Sequence, residues 1–456
     1  MPRIGRRSAC ALLASAATTT TGCLGSLTTT RVRLVWGAVA GREALVRDAL
    51  REAGLPDDVE VSVGGSSLGD NKRMFEDAVS DGSADPELLV YGGNTAGEEL
   101  RLTAADHDFP DLRSVVGPSL AEDAFRMGRA AMTVDDRLVG LPLFAVPSVV
   151  AYRQDWVAEA GYPVADWDDD PPDWPTFARA VRAVRDERGV GGFLFDTRGG
   201  SYPHGLFHDL LVGYGGAYFG DPSRFLFGPV GDRPVTVGAA AGVDAARHLQ
   251  ALVGSGDDEF AGLGPAGAVS ADDALGRVAT GEAIACRTLA SRLATLGRPA
   301  LERVGVTRVP GVPGVTDPLA WTGCPASSYF GQYAVLNPNA TGGPREAAAA
   351  VLRAMATETF QRRLFEVTVG GDSRVWFPAR RSAYPRDTAD EDDLRQFARP
   401  IRDANEHGLT PPVTPAWSEQ YGAIDDALSG VVAGDRDPEP ALASLAEELR
   451  GIEESA

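Results

Sequence analysis

The chain has 456 residues, more than one hydrophobic core usually organises, so we expect at least two domains. It carries 64 Asp and Glu against 43 Lys and Arg, a formal net charge of −21, and Lys72 is its only lysine. Because no basic face is visible that could displace phosphate counterions, this composition excludes nucleic acid as a partner.

The acidic residues are spread along the whole chain, with short runs such as DDD at 168–170 and DEDD at 390–393. A dispersed negative surface with a single lysine keeps a protein soluble where salt screens charge. The composition therefore favours a halophilic archaeon as the source. An acidic mesophilic protein is the alternative.

Residues 1–22 have the pattern of an export signal, in which a short apolar run, ACALLASAA, follows the arginine pair Arg6–Arg7. Paired arginines at this place indicate twin-arginine export. The sequence TTGC, which ends at Cys23, resembles a lipobox and predicts that Cys23 is lipidated. Residues 23–30 would then tether the chain to the extracellular face of the cytoplasmic membrane. An ordinary cleaved signal is the alternative, and no later segment is apolar enough for a transmembrane helix.

The cysteines are few and do not have the spacing of a metal site. Cleavage of the leader removes Cys10, and lipidation uses Cys23, so Cys286 and Cys324 remain in the mature chain. Outside the cell these two thiols could form a disulfide, but two separate buried thiols are equally compatible with the sequence. No CxxC motif is present, so a structural zinc site is not expected.

From residue 31 onward, short β-branched runs alternate with segments that have apolar residues at helical spacing. The predicted strands are 31–39, 59–65, 86–94, 302–314 and 329–340. The predicted helices are 41–54, 173–189, 242–256, 272–283, 344–357 and 440–455. The alternation predicts an α/β fold with a mixed, mostly parallel sheet flanked by helices.

Several short motifs follow one another in an order that resembles a known family. They are GLPLFAVPSVVAYRQDWVAEAG (140–161), DWPTFARAV (173–181), GGAYFGD (215–221), ATGEAIACRTLASRL (279–293), VGVTRVPGVPG (304–314), WFPARRSAY (376–384) and a closing block from PPVTPAW (411–417) to 449. In this order they resemble the extracellular solute-binding proteins of ABC importers, in the carbohydrate-binding group that includes maltose-binding protein.

The resemblance implies the two-lobe periplasmic-binding-protein fold, also called the Venus flytrap fold, with a ligand cleft between lobes joined by hinge strands. Lobe 1 is expected at 31–141 and 330–378, lobe 2 at 147–320 and 395–456, and the hinge crossings at 142–146 and 321–329.

The resemblance also implies a function. The chain would be a monomeric receptor, without a cofactor, that captures a sugar or oligosaccharide and delivers it to ABC permease subunits driven by their ATPase. HExxH and Walker motifs are absent from the sequence, and the resemblance accounts for the whole chain without a reaction, so we do not expect an enzyme. Ferric ion, polyamine or another organic solute is the alternative ligand, and a secreted glycoside hydrolase is the alternative activity.

Sugar clefts need aromatic faces for stacking and polar side chains for the ring hydroxyls. The resemblance places nine residues at the cleft: the aromatic residues Trp36, Tyr91, Phe144, Tyr202, Tyr329 and Trp417, and the polar residues Asn94, His204 and Thr288. Thr288 stands where the family often has glycine or tryptophan, which leaves the role of CRTLAS open. For each aromatic residue, a place in the core is the alternative.

Two pairs at i, i+4 leave metal binding open as an alternative. His204 and His208 would share one face of a helix, although Asp209 would point elsewhere and no third ligand is evident nearby. We therefore expect His204 to form a hydrogen bond in the cleft and predict no metal site. Tyr329 and Tyr333 would face the same side of a strand, as a ferric site would need.

Overall fold

A computed structural model of the protein describes residues 29–92, 100–168, 170–197, 204–231, 233–255, 259–265, 267–315, 327–369, 376–385 and 393–455. Some predictions fall outside these ranges. They are the export signal, lipidation of Cys23, the cleft residues Asn94 and Tyr202, residues 321–326 of the second hinge crossing, and any pairing of Cys324.

The strands of the described ranges are β1 (Thr30–Val35), β2 (Val59–Gly64), β3 (Leu88–Gly92), β4 (Thr133–Val134), β5 (Arg137–Leu138), β6 (Leu141–Arg153), β7 (Gly191–Leu194), β8 (Ala283–Leu289), β9 (Val304–Thr307), β10 (Ser327–Leu336) and β11 (Gly408–Leu409). Every strand predicted from the sequence is present. β1 begins one residue and β10 two residues earlier than predicted, and β1, β2, β9 and β10 end before their predicted last residue.

The helices of the same ranges are α1 (Glu43–Glu52), α2 (Leu68–Ser80), α3 (Leu100–Ala105), α4 (Arg113–Val116), α5 (Pro118–Glu122), α6 (Arg126–Ala131), α7 (Gln154–Glu159), α8 (Trp174–Arg188), α9 (His204–Gly213), α10 (Pro222–Phe225), α11 (Ala240–Val253), α12 (Ala271–Thr280), α13 (Arg298–Leu301), α14 (Gly342–Met355), α15 (Glu358–Val369), α16 (Ala398–Glu406), α17 (Trp417–Ala433) and α18 (Pro438–Ser455). Short 3-10 helices occupy Gly37–Val39, Val164–Asp166, Ala290–Thr295, Arg381–Ala383 and Leu394–Phe397. Among the helices of the described ranges, none combines the length and the apolar character needed to cross a membrane.

Local sequence signals explain where helices begin and end. The Asp173 carboxylate accepts a hydrogen bond of 2.7 Å from the backbone N–H of Thr176 and so caps α8. The same helix ends at Gly189, whose φ of 70° is in the left-handed region that glycine adopts without steric cost. These two residues explain why the bounds predicted for this helix, 173–189, differ by one residue at each end from those observed.

The sheet runs through the whole molecule in the order β2-β1-β3-β10-β6-β8-β7, with β11 beside β10 and β9 beside β6. The pairs β1–β2, β1–β3 and β7–β8 at the two ends are parallel. The pairs that involve β6 with β10, β8 or β9 are antiparallel. The structure therefore confirms an α/β fold with a mixed sheet.

β6 belongs to both ends of this sheet. Its residues from Leu141 to Pro147 pair with β10, whereas those from Ser148 to Arg153 pair with β8 and β9. We call the part around β1, β2 and β3 lobe 1 and the part around β7, β8 and β9 lobe 2. The predicted first crossing, 142–146, lies within the part of β6 that pairs with β10, and its role as a hinge stays a prediction.

Both faces of the lobe 2 sheet are covered by apolar residues, and this accounts for a β6 strand that is buried at every position. Alternate residues face opposite sides: Val149 and Ala151 belong to the hydrophobic cluster that continues into lobe 1, while Val150 and Tyr152 belong to a second cluster. The second cluster is formed largely by α8, α9, α11, α17 and α18.

The segment after residue 393 contributes to both clusters. Leu394–Ala404 packs into the cluster that continues into lobe 1, and residues from Ala416 to Ile452 pack into the second cluster. The lobe bounds that the resemblance implies, including the assignment of 395–456 to lobe 2, stay a prediction.

Candidate ligand-binding cavity

A cavity of about 390 Å³ lies between the two lobes, a volume within the range of small-molecule sites. α2 and α3 contribute its lobe 1 side, while β8, α9, α17 and the segment before α17 contribute the lobe 2 side. Its lining residues are Lys72, Leu102, Asp196, His204, Gly205, Ala271, Arg287, Thr288, Leu289, Arg292, Ser328, Phe330, Thr410, Pro411, Pro412, Val413, Thr414, Pro415, Trp417, Ser418 and Tyr421.

A buried carboxylate, that of Asp209 on α9, organises the floor of this cavity. It accepts hydrogen bonds from the hydroxyl of Ser148 at 3.0 Å, and from the backbone N–H and hydroxyl of Ser328 at 2.8 and 2.6 Å. Its other oxygen, Oδ2, lies 2.6 Å from Nε of Arg287. One side chain thereby joins a lobe 2 helix to β8 and to the two long strands, β6 and β10.

Arg287, on β8, uses only part of its hydrogen-bonding capacity on the protein. Nε donates to Asp209, and Nη2 donates to the Ser328 hydroxyl at 3.1 Å. Nη1 forms no hydrogen bond with any residue that the structure describes. It packs against Gly205, where a Cβ would stand only 2.9 Å from it. Because Arg287 and Gly205 both line the cavity, a guanidinium nitrogen with available donors lies at its surface.

His204, the first residue of α9, is packed among aromatic rings. Its ring lies 4.5 Å from that of Tyr421 in an edge-on contact and 6.0 Å from that of Trp417, measured between centroids. Burial, reinforced by His208 and by the charge of Arg287, lowers the pKa of His204 well below its ordinary value. The imidazole is therefore neutral at pH 7. Its Nε2 has no hydrogen-bond partner among the described residues.

His208 has a structural place behind the cavity. Its Nε2 donates to the carbonyl oxygen of Leu409 at 3.0 Å, which fixes the tautomer, and its ring stacks on Tyr218 with an interplanar angle of 9°. Burial lowers the pKa of His208. Over the described ranges, no group of three or more His, Cys, Asp or Glu residues could hold a metal ion, and Asp209 is directed to Arg287 rather than to the histidines.

The segment Thr410–Pro415 forms one wall of the cavity and leads into α17. The backbone N–H of Val413 donates to the carbonyl of Leu226 at 3.0 Å, and that of Trp417 donates to the carbonyl of Thr414 at 3.0 Å. The prolines of this segment fix φ and so stiffen the wall. Trp417 is half-buried and presents its indole to the cavity beside Tyr421.

Two cationic side chains at the cavity are paired with carboxylates outside its lining. Nζ of Lys72 lies 3.0 Å from Oε1 of Glu76, one turn further along α2. Arg292 pairs with Asp272 at the start of α12. Both basic side chains are about three-quarters buried. Of these four residues, Lys72 and Arg292 are the ones among the lining residues of the cavity.

Three of the predicted cleft residues, His204, Thr288 and Trp417, line this cavity. Four others lie elsewhere, buried in the hydrophobic core: Trp36, Tyr91, Phe144 and Tyr329. The rings of Trp36 and Phe144, for example, stack on each other at 6.0 Å. A role of the nine residues in binding stays a prediction.

The sequence interpretation missed most of the charged lining. Lys72, Arg287 and Arg292 were not among the predicted residues, and neither were Phe330 and Tyr421. The signals available were the isolated lysine and the arginine directly before Thr288, in CRTLAS.

Comparison with known proteins supports the architecture. No protein-family model and no curated protein matches the chain. A cyclic α-maltosyl-1,6-maltose binding protein from Arthrobacter globiformis is 16% identical, with a TM-score of 0.71 over 94% of this chain and 100% of that one. The sugar-binding protein MalE from Xanthomonas citri is 17% identical, with a TM-score of 0.70 over 93% and 98%. Maltose-bound MalE3 of T. maritima is 18% identical, with a TM-score of 0.65 over 92% and 99%. At these identities the likeness shows the fold, which is the predicted two-lobe α/β architecture.

Proposed function

We propose that the chain is the solute-binding receptor of an ABC importer and captures a sugar or oligosaccharide in the cavity between its lobes. The observation that carries the proposal is the cavity itself, because it combines aromatic rings with polar groups from both lobes. Aromatic faces pack against the C–H faces of sugar rings, and fixed polar groups select for hydroxyls.

The sugar-binding neighbours described above support the choice of ligand class, since their chains match this one almost from end to end. In the proposed complex, Trp417 and Tyr421 stack on the sugar, while His204 and Thr288 bind its hydroxyls. Thr414, a buried residue of the wall, offers a further hydroxyl whose Oγ1 has no partner among the described residues.

The proposed mechanism is closure of the two lobes on the ligand. β6 pairs with strands of both lobes, and its residues around Pro147, together with the start of β10 at Ser327, are the proposed hinge. A ligand that bridges both lobes favours the closed form, which the permease subunits recognise before the ATPase drives transport.

The proposal includes an anchor for the receptor. Lipidation at Cys23 would keep a monomeric receptor near its permease on the extracellular face of the cytoplasmic membrane. Intact-mass measurement of the membrane-extracted protein tests this. A mass equal to that of the unmodified chain cleaved elsewhere in the leader would contradict the anchor.

The function itself is tested by thermal shift on dialysed protein against sugars, maltodextrins, polyols, polyamines and ferric ion. We expect a saccharide to raise Tm in a concentration-dependent way, because a ligand that binds only the folded state stabilises it by mass action. A rise with polyamine or ferric ion and none with any saccharide would contradict the sugar proposal. Analysis of the recovered saccharide separates a receptor from a hydrolase, since hydrolysis would yield shorter sugars.

A further inference from the structure

The described lining of the cavity is richer in basic than in acidic side chains, whereas the chain as a whole is acidic. The chain has 64 acidic against 43 basic residues, but among the residues that the structure describes, the charged ones that line the cavity are three basic, Lys72, Arg287 and Arg292, and one acidic, Asp196. The only lysine in 456 residues is among them. A site that gathers positive charge in a strongly acidic protein indicates a negatively charged ligand.

The carboxylates that the structure shows paired with these basic groups are not among the described lining residues of the cavity. Asp209 is completely buried beneath Arg287, while Glu76 and Asp272 pair with Lys72 and Arg292 from positions outside the lining. Each pair holds its basic group in place, and the cationic member is the one that reaches the cavity.

Arg287 is the best-placed of the three groups. Its side chain is only 8% exposed, and Asp209 and Ser328 fix the guanidinium plane through Nε and Nη2. Nη1, against the bare Cα of Gly205, keeps its two N–H groups for a ligand. A hydrogen bond from a charged, buried group such as Arg287 is stronger than one between neutral groups. A planar guanidinium held in a fixed orientation also matches the geometry of a carboxylate.

We propose that the solute is an acidic saccharide whose carboxylate binds Arg287, with Lys72 and Arg292 as further cationic groups at the same cavity. This inference rests on the proposed function, since it specifies the sugar that the same cavity takes. The neutral imidazole of His204 accepts or donates a hydrogen bond to a hydroxyl, and the indole of Trp417 covers the ring. A uronic acid, or a short oligosaccharide that ends in one, has this combination of groups.

The test is calorimetric titration at fixed salt with digalacturonate, its dimethyl ester and the galactobiose of the same linkage, so that charge changes while ring and linkage are kept. We expect digalacturonate to bind about tenfold or more tightly than either neutral compound. K72Q should weaken digalacturonate about three- to tenfold and the dimethyl ester less. K72Q changes a partly exposed residue, so we expect it to fold. The test can therefore be made even if variants at the buried Arg287 do not fold.

R247Q is the matched control, because Arg247 is a half-exposed arginine that pairs with Asp244 and Glu439 and does not line the cavity. It removes one positive charge from the protein and should leave the affinity for digalacturonate unchanged. Equal or tighter binding of the neutral compounds would overturn the inference and leave the proposed function standing. If no saccharide of either charge binds while another class of solute does, the proposed function fails, and the inference fails with it. An equal loss with R247Q and K72Q would also overturn it, because the effect would then follow net charge.

Discussion

Two buried arginines of lobe 2, Arg233 and Arg287, each pair with a carboxylate. They differ in how many guanidinium N–H donors remain without a partner in the protein. Arg233 donates from Nε to Glu453 at 3.0 Å, from Nη1 to the carbonyl of Phe225 at 3.2 Å and from Nη2 to Gln420 at 3.2 Å. Its Cζ also lies 3.8 Å from the centroid of the Phe219 ring. Every nitrogen of this guanidinium is used within the protein.

Arg287 is buried to nearly the same degree, yet its Nη1 has no partner among the described residues and faces a cavity. The comparison shows that burial and a salt bridge do not by themselves indicate function. Both arginines have them. The number of donors that the protein leaves unused separates a group that fastens helices together from one that is available to a ligand.

Loss of the Arg233 pair should give the largest effect on stability. R233M removes the partner of a Glu453 side chain that is 3% exposed, and a buried charge left alone costs about 3–5 kcal/mol. Chemical unfolding should show this loss. The double variant R233M/E453M should recover most of the lost stability. If R233M alone is as stable as the parent, the Arg233–Glu453 pair does not stabilise the fold.

The matched changes R287K and R233K should separate the two arginines most clearly. Lysine keeps the charge but cannot reproduce a fixed planar fork. We expect R287K to lower the affinity for the saccharide ligand about tenfold or more, from the loss of a charged hydrogen bond. R233K should reduce stability and leave affinity unchanged, as measured by calorimetry at temperatures where both are folded. Equal affinities in the two variants would break the comparison.

Trp417 lines the same cavity as Arg287 but contributes an aromatic ring rather than a charge, so its loss tests the apolar part of the site. W417A should weaken saccharide binding about three- to tenfold through the lost aromatic face. Its effect on stability should be smaller than that of R233M, since the indole is only half-buried. Quenching of intrinsic fluorescence by the ligand should also decrease. W156A serves as the control, because Trp156 packs under Arg153 away from the cavity.

Asp425, on α17, is a partly buried carboxylate whose Oδ1 has no hydrogen-bond partner among the described residues. Burial, reinforced by the charge of Asp426, raises its pKa from 3.8 to about 6. The folded state therefore binds more protons than the unfolded state between those values, and ionisation above pH 6 is destabilising. D425N should raise Tm by about 1–2 °C at pH 7. The difference from the parent should vanish below about pH 3.8, and a difference independent of pH would rule out ionisation as the cause.

The fold was within reach of the sequence because its signals are local. The cap at Asp173 and the glycine at 189 mark one helix, and the run from Leu141 to Arg153 is extended and apolar throughout. A strand covered on both faces has no polar alternation, so the pattern alone did not mark 141–153 as one strand, and the resemblance placed only 142–146 there, as a hinge crossing.

The cavity was harder to predict because its side chains come from segments far apart in the chain. Trp36 and Phe144 are aromatic residues at strand positions, as cleft residues would be, and only the packing shows that they stack on each other in the core. Arg287 and Cys286 are neighbours on β8 and are both buried, yet they face opposite sides of the strand. The sequence alone does not show which strands pair with β8. It therefore does not tell whether Arg287 or Cys286 is the residue that lines the cavity.

The single lysine has a practical consequence. Lys72 lies at the cavity with a side chain that is 24% exposed, so its ε-amine is the one side-chain amine in the protein that a reactive dye can modify. Coupling at high pH would place a fluorophore at the lobe 1 side of the cleft without introducing a cysteine. Energy transfer from Trp417, on the opposite lobe, to that dye would then follow the approach of the two lobes, at solute concentrations high enough to offset the charge that coupling removes from Lys72.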